Sequence, residues 1–313
     1  MSAAEIIQIY LVWLGVVAGF YALVGFLAYS SSGQLSIGLS AEGVDETLIP
    51  SDGARSWQDY AWFGAKAVGF LTGSLLVFAF VGTRWLGWVI PVLFSLANGC
   101  LLAVTLNPEG RRGWKLAGLS WGIASFVLAA FVPNWFTNGL ITAGASLALL
   151  LTAKRIPVRT AAAISAFLFA YDVFHVFGSG LMERAALAAE ATPALITVPS
   201  ALRWQAAPLF AIGAGDITVP GLVALVGFRL ASANRKPGIA VATVAGILAG
   251  HIVAVIAVIL MRRGQPALLY LLPCAWIGFG LAAGRRWKDL EDPIGSESVE
   301  PLSTQSDTAP TKE

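Results

Sequence analysis

The feature that most constrains this chain is a series of long apolar runs whose separating gaps hold nearly all of its charges. Each run is close to the roughly 20 residues needed to cross a hydrocarbon core of about 30 Å as a helix. The runs are apolar all round, whereas the helices of a soluble protein would carry a single apolar stripe. Composition agrees: 12% of the residues are charged, against roughly 25% in soluble domains. An all-α, polytopic membrane protein is the fold class expected.

Nine segments qualify as spans, near 6–28, 60–82, 86–106, 116–132, 136–153, 160–178, 206–228, 238–260 and 265–284. Together they make one transmembrane domain over residues 1–287. Residues 288–313 are rich in Ser, Thr, Pro and acids without apolar periodicity, so a disordered tail is expected there. The first charge is Glu5, and no basic region precedes the first run as in a secretory signal, so 6–28 reads as a retained span. No internal repeat is visible.

Loop charges set the expected orientation. One set of loops holds Arg55, Arg111, Arg112, Lys115, Lys154, Arg155, Arg159, Arg229, Arg235, Lys236, Arg285, Arg286 and Lys288. The opposite set holds Arg84, Arg184, Arg203, Arg262 and Arg263. The richer set belongs in the cytoplasm, which puts the N-terminus outside and the C-terminus inside. The basic residues come in twos and threes at span ends, which excludes an extended nucleic-acid-binding face. Cys100 and Cys274 fall inside apolar runs and read as structural thiols, and neither a C-x-x-C pair nor a histidine cluster exists to build a metal site. No cofactor is expected.

Few ionisable groups lie within spans. Lys66, about two turns into the second, can snorkel to an interface. His251, mid-way along the eighth, reads as a neutral, hydrogen-bonded packing residue. Asp172 and Asp216 are different, because aspartate is too short to snorkel from mid-membrane and costs roughly 2.5–3.5 kcal/mol there on insertion scales. Such costs persist where the groups face a protein or water-lined interior. Asp172 follows Arg159 by 13 residues and Asp216 precedes Arg229 by 13. On antiparallel spans both carboxyls then lie roughly 20 Å along the helix from the same face. Two acids at matched depth can meet, and a close pair holds a single proton. That pair suits metal-free peptide hydrolysis, one acid taking a proton from water while the other polarises the carbonyl. It would equally serve proton relay in a transporter.

The flanking residues sharpen the choice. Asp172 lies in Tyr171-Asp172-Val173-Phe174-His175, and Asp216 in Gly213-Ala214-Gly215-Asp216-Ile217-Thr218-Val219-Pro220-Gly221. The ninth span opens with Gln265-Pro266-Ala267-Leu268-Leu269-Tyr270-Leu271. Gly213 and Gly215 weaken the seventh helix and let backbone approach a substrate chain. Pro266 disfavours helix at Gln265 and marks a broken or extended start to the ninth span, with Pro273 a possible kink site. An extended strand there could offer main-chain hydrogen bonds to an unwound substrate.

In this order and on these spans, YD (Tyr171-Asp172), GxGD (Gly213 to Asp216) and PAL (Pro266 to Leu268) resemble the motifs of the GxGD intramembrane aspartyl proteases, the presenilin and signal peptide peptidase family. A second PAL, Pro193-Ala194-Leu195, shows how cheaply the triplet alone arises. QPALLYL, GDITVPG and an inside C-terminus look more like signal peptide peptidase than presenilin, and the compact length resembles archaeal or bacterial members, which implies a prokaryotic cell membrane. The resemblance implies nine spans and cleavage of transmembrane peptides, such as remnant signal peptides, by catalytic Asp172 and Asp216. It further implies active-site or substrate-binding support from Tyr171, Gly213, Ala214, Gly215, Gln265, Pro266, Ala267 and Leu268. Ala214 departs from the Leu of many relatives, so specificity does not transfer. His175, one turn beyond Asp172, reads as packing. The rival readings of the acid pair are a proton-coupled transporter and a scaffold that binds single-span helices without cutting them.

Overall fold

Backbone inside a bilayer must satisfy its own hydrogen bonds, and a helix does so within one segment. The computed structural model describes residues 3–29, 69, 73, 83–106, 112–132, 134–153, 156–180, 195–199, 208–261 and 265–284. These residues form α1 (Ala3–Tyr29), α2 (Thr83–Leu106), α3 (Arg112–Phe131), α4 (Trp135–Thr152) and α5 (Val158–Val173), which continues as a π-helical turn (Phe174–Ser179). Strands β1 (Leu195–Pro199) and β2 (Pro208–Gly213) follow, then α6 (Ala214–Ala233), α7 (Pro237–Met261) and α8 (Leu268–Ala283). Of the second span expected over 60–82 only Gly69 and Gly73 are described, and Lys66 lies outside the described residues, as do most of the first loop and the tail.

Among the described residues, Ile7–Phe26, Val158–Ser179, Ala214–Ala233 and Pro237–Met261 are long and apolar enough to cross a membrane, and four further apolar helices are shorter. Large apolar side chains such as Val241, Leu260 and Leu281 point outward and are exposed, the surface a lipid solvent requires. The chain is thus an all-α polytopic membrane protein. The short connection between α3 and α4 is made by Asn134, whose side chain accepts from the backbone N–H groups of Phe136 and Thr137 and so starts α4 without a long loop.

The seventh span departs from expectation. Residues 206–228 read as one helix, but Pro208–Gly213 is a strand and α6 begins at Ala214 and runs to Ala233. The strand pairs antiparallel with β1, Leu195 opposite Gly213 and Val198 opposite Phe210. A six-residue apolar run carries no periodicity that separates strand from helix, and here the pairing partner decided. The C-terminal extension takes Arg229 out of the loop in which it was expected. It is buried in α6 and Nη1 donates to the Ile156 carbonyl at 2.7 Å.

α6 is the central element, touching α1, α4, α5, α7 and α8. Its residues Pro220 to Gly227 are buried without interruption. One apolar cluster joins Leu150 of α4, Leu225 of α6 and Phe279 of α8. Another joins Trp13, Val17 and Tyr21 of α1 to Ile212, Ile217, Ile247 and Leu268. This second cluster contains Ile217, next to Asp216 in sequence, and Leu268, whose N–H reaches Asp172.

Candidate active site

Asp172 sits near the end of α5 and is 5% exposed. Its Oδ2 accepts a hydrogen bond from the backbone N–H of Leu268 at 3.1 Å. That donor is free because Leu268 opens α8, and the first N–H groups of a helix have no intrahelical acceptor. The non-helical Gln265-Pro266 stretch before it fits the broken start that Pro266 predicts. Gln265 is fixed from the other side, its Oε1 accepting from the Tyr270 hydroxyl at 3.2 Å. Pro266 and Leu268 are buried and Ala267 forms the cap between them.

Asp216 occupies the first turn of α6 and is half-buried. Its Oδ2 accepts from the backbone N–H of Gly213 at 3.0 Å, reaching back across the turn. Gly213 ends β2 and caps α6 with extended backbone, φ −67° and ψ 150°. Ala214 and Gly215 complete the turn, Gly215 exposed. The two carboxyls lie within electrostatic range of each other. Each is held by an N–H at the start of a helix, where the aligned peptide dipoles favour negative charge.

Tyr171 stacks between Phe167 and His175, its ring centroid 6.2 Å from the first and 4.4 Å from the second. His175 is a buried packing residue, as expected, and its Nδ1 also shares a hydrogen bond with Ser179 Oγ at 2.9 Å. His175 and Ser179 meet one turn apart within the π-helical segment, which Gly180 ends in the left-handed conformation, φ 65°. His251 is buried in α7, and its Nε2 has no hydrogen-bond partner among the described residues. Cys100 and Cys274 are free.

The structure therefore brings Asp172, Asp216, Gly213 and Leu268 into one region from three separate motifs. Sequence reasoning missed three features of it. One is the hairpin, whose β1 opens with Leu195 of the second PAL, set aside above as chance, and pairs that residue with Gly213. Another is the π-helical turn. The last is Tyr21, whose hydroxyl donates to the Ile217 carbonyl at 3.0 Å across 196 positions. No local signal in an apolar run announces such a bond.

With this geometry in view, comparison with known proteins is informative. A family model described as signal peptide peptidase matches residues 63–292. Signal peptide peptidase-like 2A of Homo sapiens is 28% identical over 243 residues, covering 65% of this chain and 46% of that protein. Signal peptide peptidase-like 2B of Homo sapiens is 35% identical over 131 residues, 35% of this chain and 22% of its own. Signal peptide peptidase-like 3 of Oryza sativa subsp. japonica is 35% identical over 131 residues, 38% of this chain and 24% of its own. The chain thus spans less than half the length of each of these relatives.

Proposed function

Because this chain belongs to the signal peptide peptidase family, we propose that it is an intramembrane aspartyl endopeptidase in which Asp172 and Asp216 carry the chemistry. The observation that carries this reading is the bond from Leu268 N–H to Asp172, which joins the YD and PAL motifs beside a second carboxyl within electrostatic range. In this reading the two coupled acids share one proton, as a close carboxyl pair does.

The ionised member takes a proton from water as the water oxygen adds to the scissile carbonyl. The protonated member gives its proton to the carbonyl oxygen. Collapse of the tetrahedral gem-diol breaks the C–N bond as the now ionised member takes back one hydroxyl proton and the other member gives its proton to the departing nitrogen, which leaves the new carboxyl and restores the singly protonated pair. Water is the only other reactant and no cofactor enters. Helical peptide bonds are shielded, so the substrate must be extended first. The β1–β2 hairpin, which runs straight into Gly213 and Asp216, offers strand edges on which an unwound segment can form main-chain hydrogen bonds.

The substrates of this reading are transmembrane peptides such as remnant signal peptides, and the protein itself lies with its own N-terminus outside and its own C-terminus in the cytoplasm. Proton-coupled transport and non-cleaving helix binding, the other uses of such a pair, gain nothing from the relatives. The test is incubation of purified protein in detergent with a labelled single-span signal peptide. Asp172→Ala and Asp216→Ala should each abolish the products, and cleavage surviving in either variant ends the proposal.

A further inference from the structure

We propose that Tyr21 of α1 is a positioning residue for Asp216, acting through the first turn of α6. This rests on the reading of Asp216 as a catalytic acid and adds a residue that none of the three motifs contains.

The first turn of α6 lacks part of the usual helical support, although Asp216 Oδ2 reaches back to the Gly213 N–H. Pro220 has no N–H to donate to the Asp216 carbonyl. The capping position is Gly213, which has no side chain to anchor the turn. Thr218 spends its hydroxyl on the Ala214 carbonyl, 2.8 Å away within the same turn. Beyond those local bonds and the strand pairing at Gly213, a hydrogen bond reaches the turn from a distant helix: Tyr21 Oη donates to Ile217 O at 3.0 Å.

The donor is well placed to fix a position. Tyr21 is fully buried, and Val17 and Trp13, one and two turns earlier on α1, are buried with it. Their cluster includes Ile212 and Ile217, on either side of the GxGD motif. The Tyr21 ring meets Phe20 edge-on with centroids 5.4 Å apart. Its hydroxyl also lies within electrostatic range of the Asp216 carboxyl. A phenylalanine would fill the same space without a hydroxyl to desolvate, so packing alone does not call for tyrosine. The phenol joins the buried face of α1 to the backbone of the residue next to Asp216.

The test compares full-length protein with Tyr21→Phe, Phe20→Leu and Asp216→Ala in detergent. It measures kcat and KM on a labelled single-span peptide, the affinity of a hydroxyl-bearing peptide mimic of the tetrahedral species, and the thermal midpoint. Tyr21→Phe should lower kcat roughly tenfold and weaken the mimic by a similar factor, because small displacements of a reacting group are costly. KM should stay within about twofold and the midpoint should not move. Phe20→Leu, which alters the neighbouring ring but no bond to α6, should leave kcat unchanged. A wild-type kcat in Tyr21→Phe overturns the proposal. So does a joint change of kcat, KM and midpoint that Phe20→Leu reproduces, since Tyr21 would then only be packing. Cleavage surviving in Asp216→Ala overturns the catalytic assignment together with this inference, whereas an inactive Asp216→Ala beside a fully active Tyr21→Phe overturns this inference alone.

Discussion

Two regions of the molecule bury polar side chains among apolar helices, and they do so in opposite ways. Between α2 and α4, Asn98 Nδ2 donates to the Phe94 carbonyl of its own helix at 3.0 Å and to the Ile141 carbonyl of α4 at 2.7 Å. Thr142 Oγ1 donates to the Asn138 carbonyl at 2.7 Å. The helices run on past both residues. Around Asp172 and Asp216 they do not: a strand ends at Gly213, a non-helical stretch precedes Leu268, and a π-helical turn follows Val173. The difference lies in what each group needs. Amide and hydroxyl donors seek acceptors, and a helical carbonyl has a second lone pair to offer. A carboxylate needs donors, and helical N–H groups are already used except in the first turn. A membrane protein that holds two aspartates on backbone N–H groups must therefore start helices next to them.

This contrast can be broken at several points. The largest effect is expected from Asp172→Asn, which keeps an oxygen to accept from Leu268 but loses the charge. Turnover should fall on the order of a thousandfold or more, while the thermal midpoint stays within about 3 °C. A large drop in the midpoint would show that the carboxylate supports the fold as the donors around Asn98 do. Next is Gly213→Ala. The backbone there suits alanine, but its Cβ would stand 3.2 Å from Asp216 Oδ2. Displacing that carboxyl should lower kcat about tenfold with little loss of stability, and unchanged kinetics would argue that Asp216 does not depend on its Gly213 bond.

In the other region the expected effect is on stability. A Cβ at Gly144 would collide with the Asn98 amide, so Gly144→Ala should cost about 1–3 kcal/mol by denaturant titration. Activity per folded molecule should hold, and a selective loss of kcat would mean that the two regions are coupled. The smallest effect belongs to Gly215→Ala. Nothing lies within 4 Å of the added carbon, and kcat/KM is expected to stay within about twofold. A severe loss would show that this glycine makes room for substrate rather than for the protein.

Much of this was legible beforehand, and the reason is physical. Bilayer thickness sets helix length, so α1, α4 and α7 lie within a few residues of the apolar runs that announced them. The cost of an intramembrane carboxylate marked Asp172 and Asp216 without any structure, and Pro266 marked the break before α8. Legibility failed where the deciding partner was distant. Pro208 to Gly213 could have extended a helix, and only pairing with β1 made it a strand. Arg229 looked like a loop charge until the Ile156 carbonyl gave it a buried acceptor. Leu195 looked like the end of a chance triplet until it paired with Gly213.

The sequence by itself determined a multi-pass helical membrane protein with two costly acids and a broken backbone beside them, because transfer free energies act residue by residue. Tertiary structure decided which N–H groups those acids receive, that a hairpin leads into one of them, and that Tyr21 of the first helix reaches the turn carrying Asp216. Those are pairings between positions far apart in the chain. A hydrogen bond has a direction and a length near 3 Å, and no local pattern of residues encodes which distant partner will meet it.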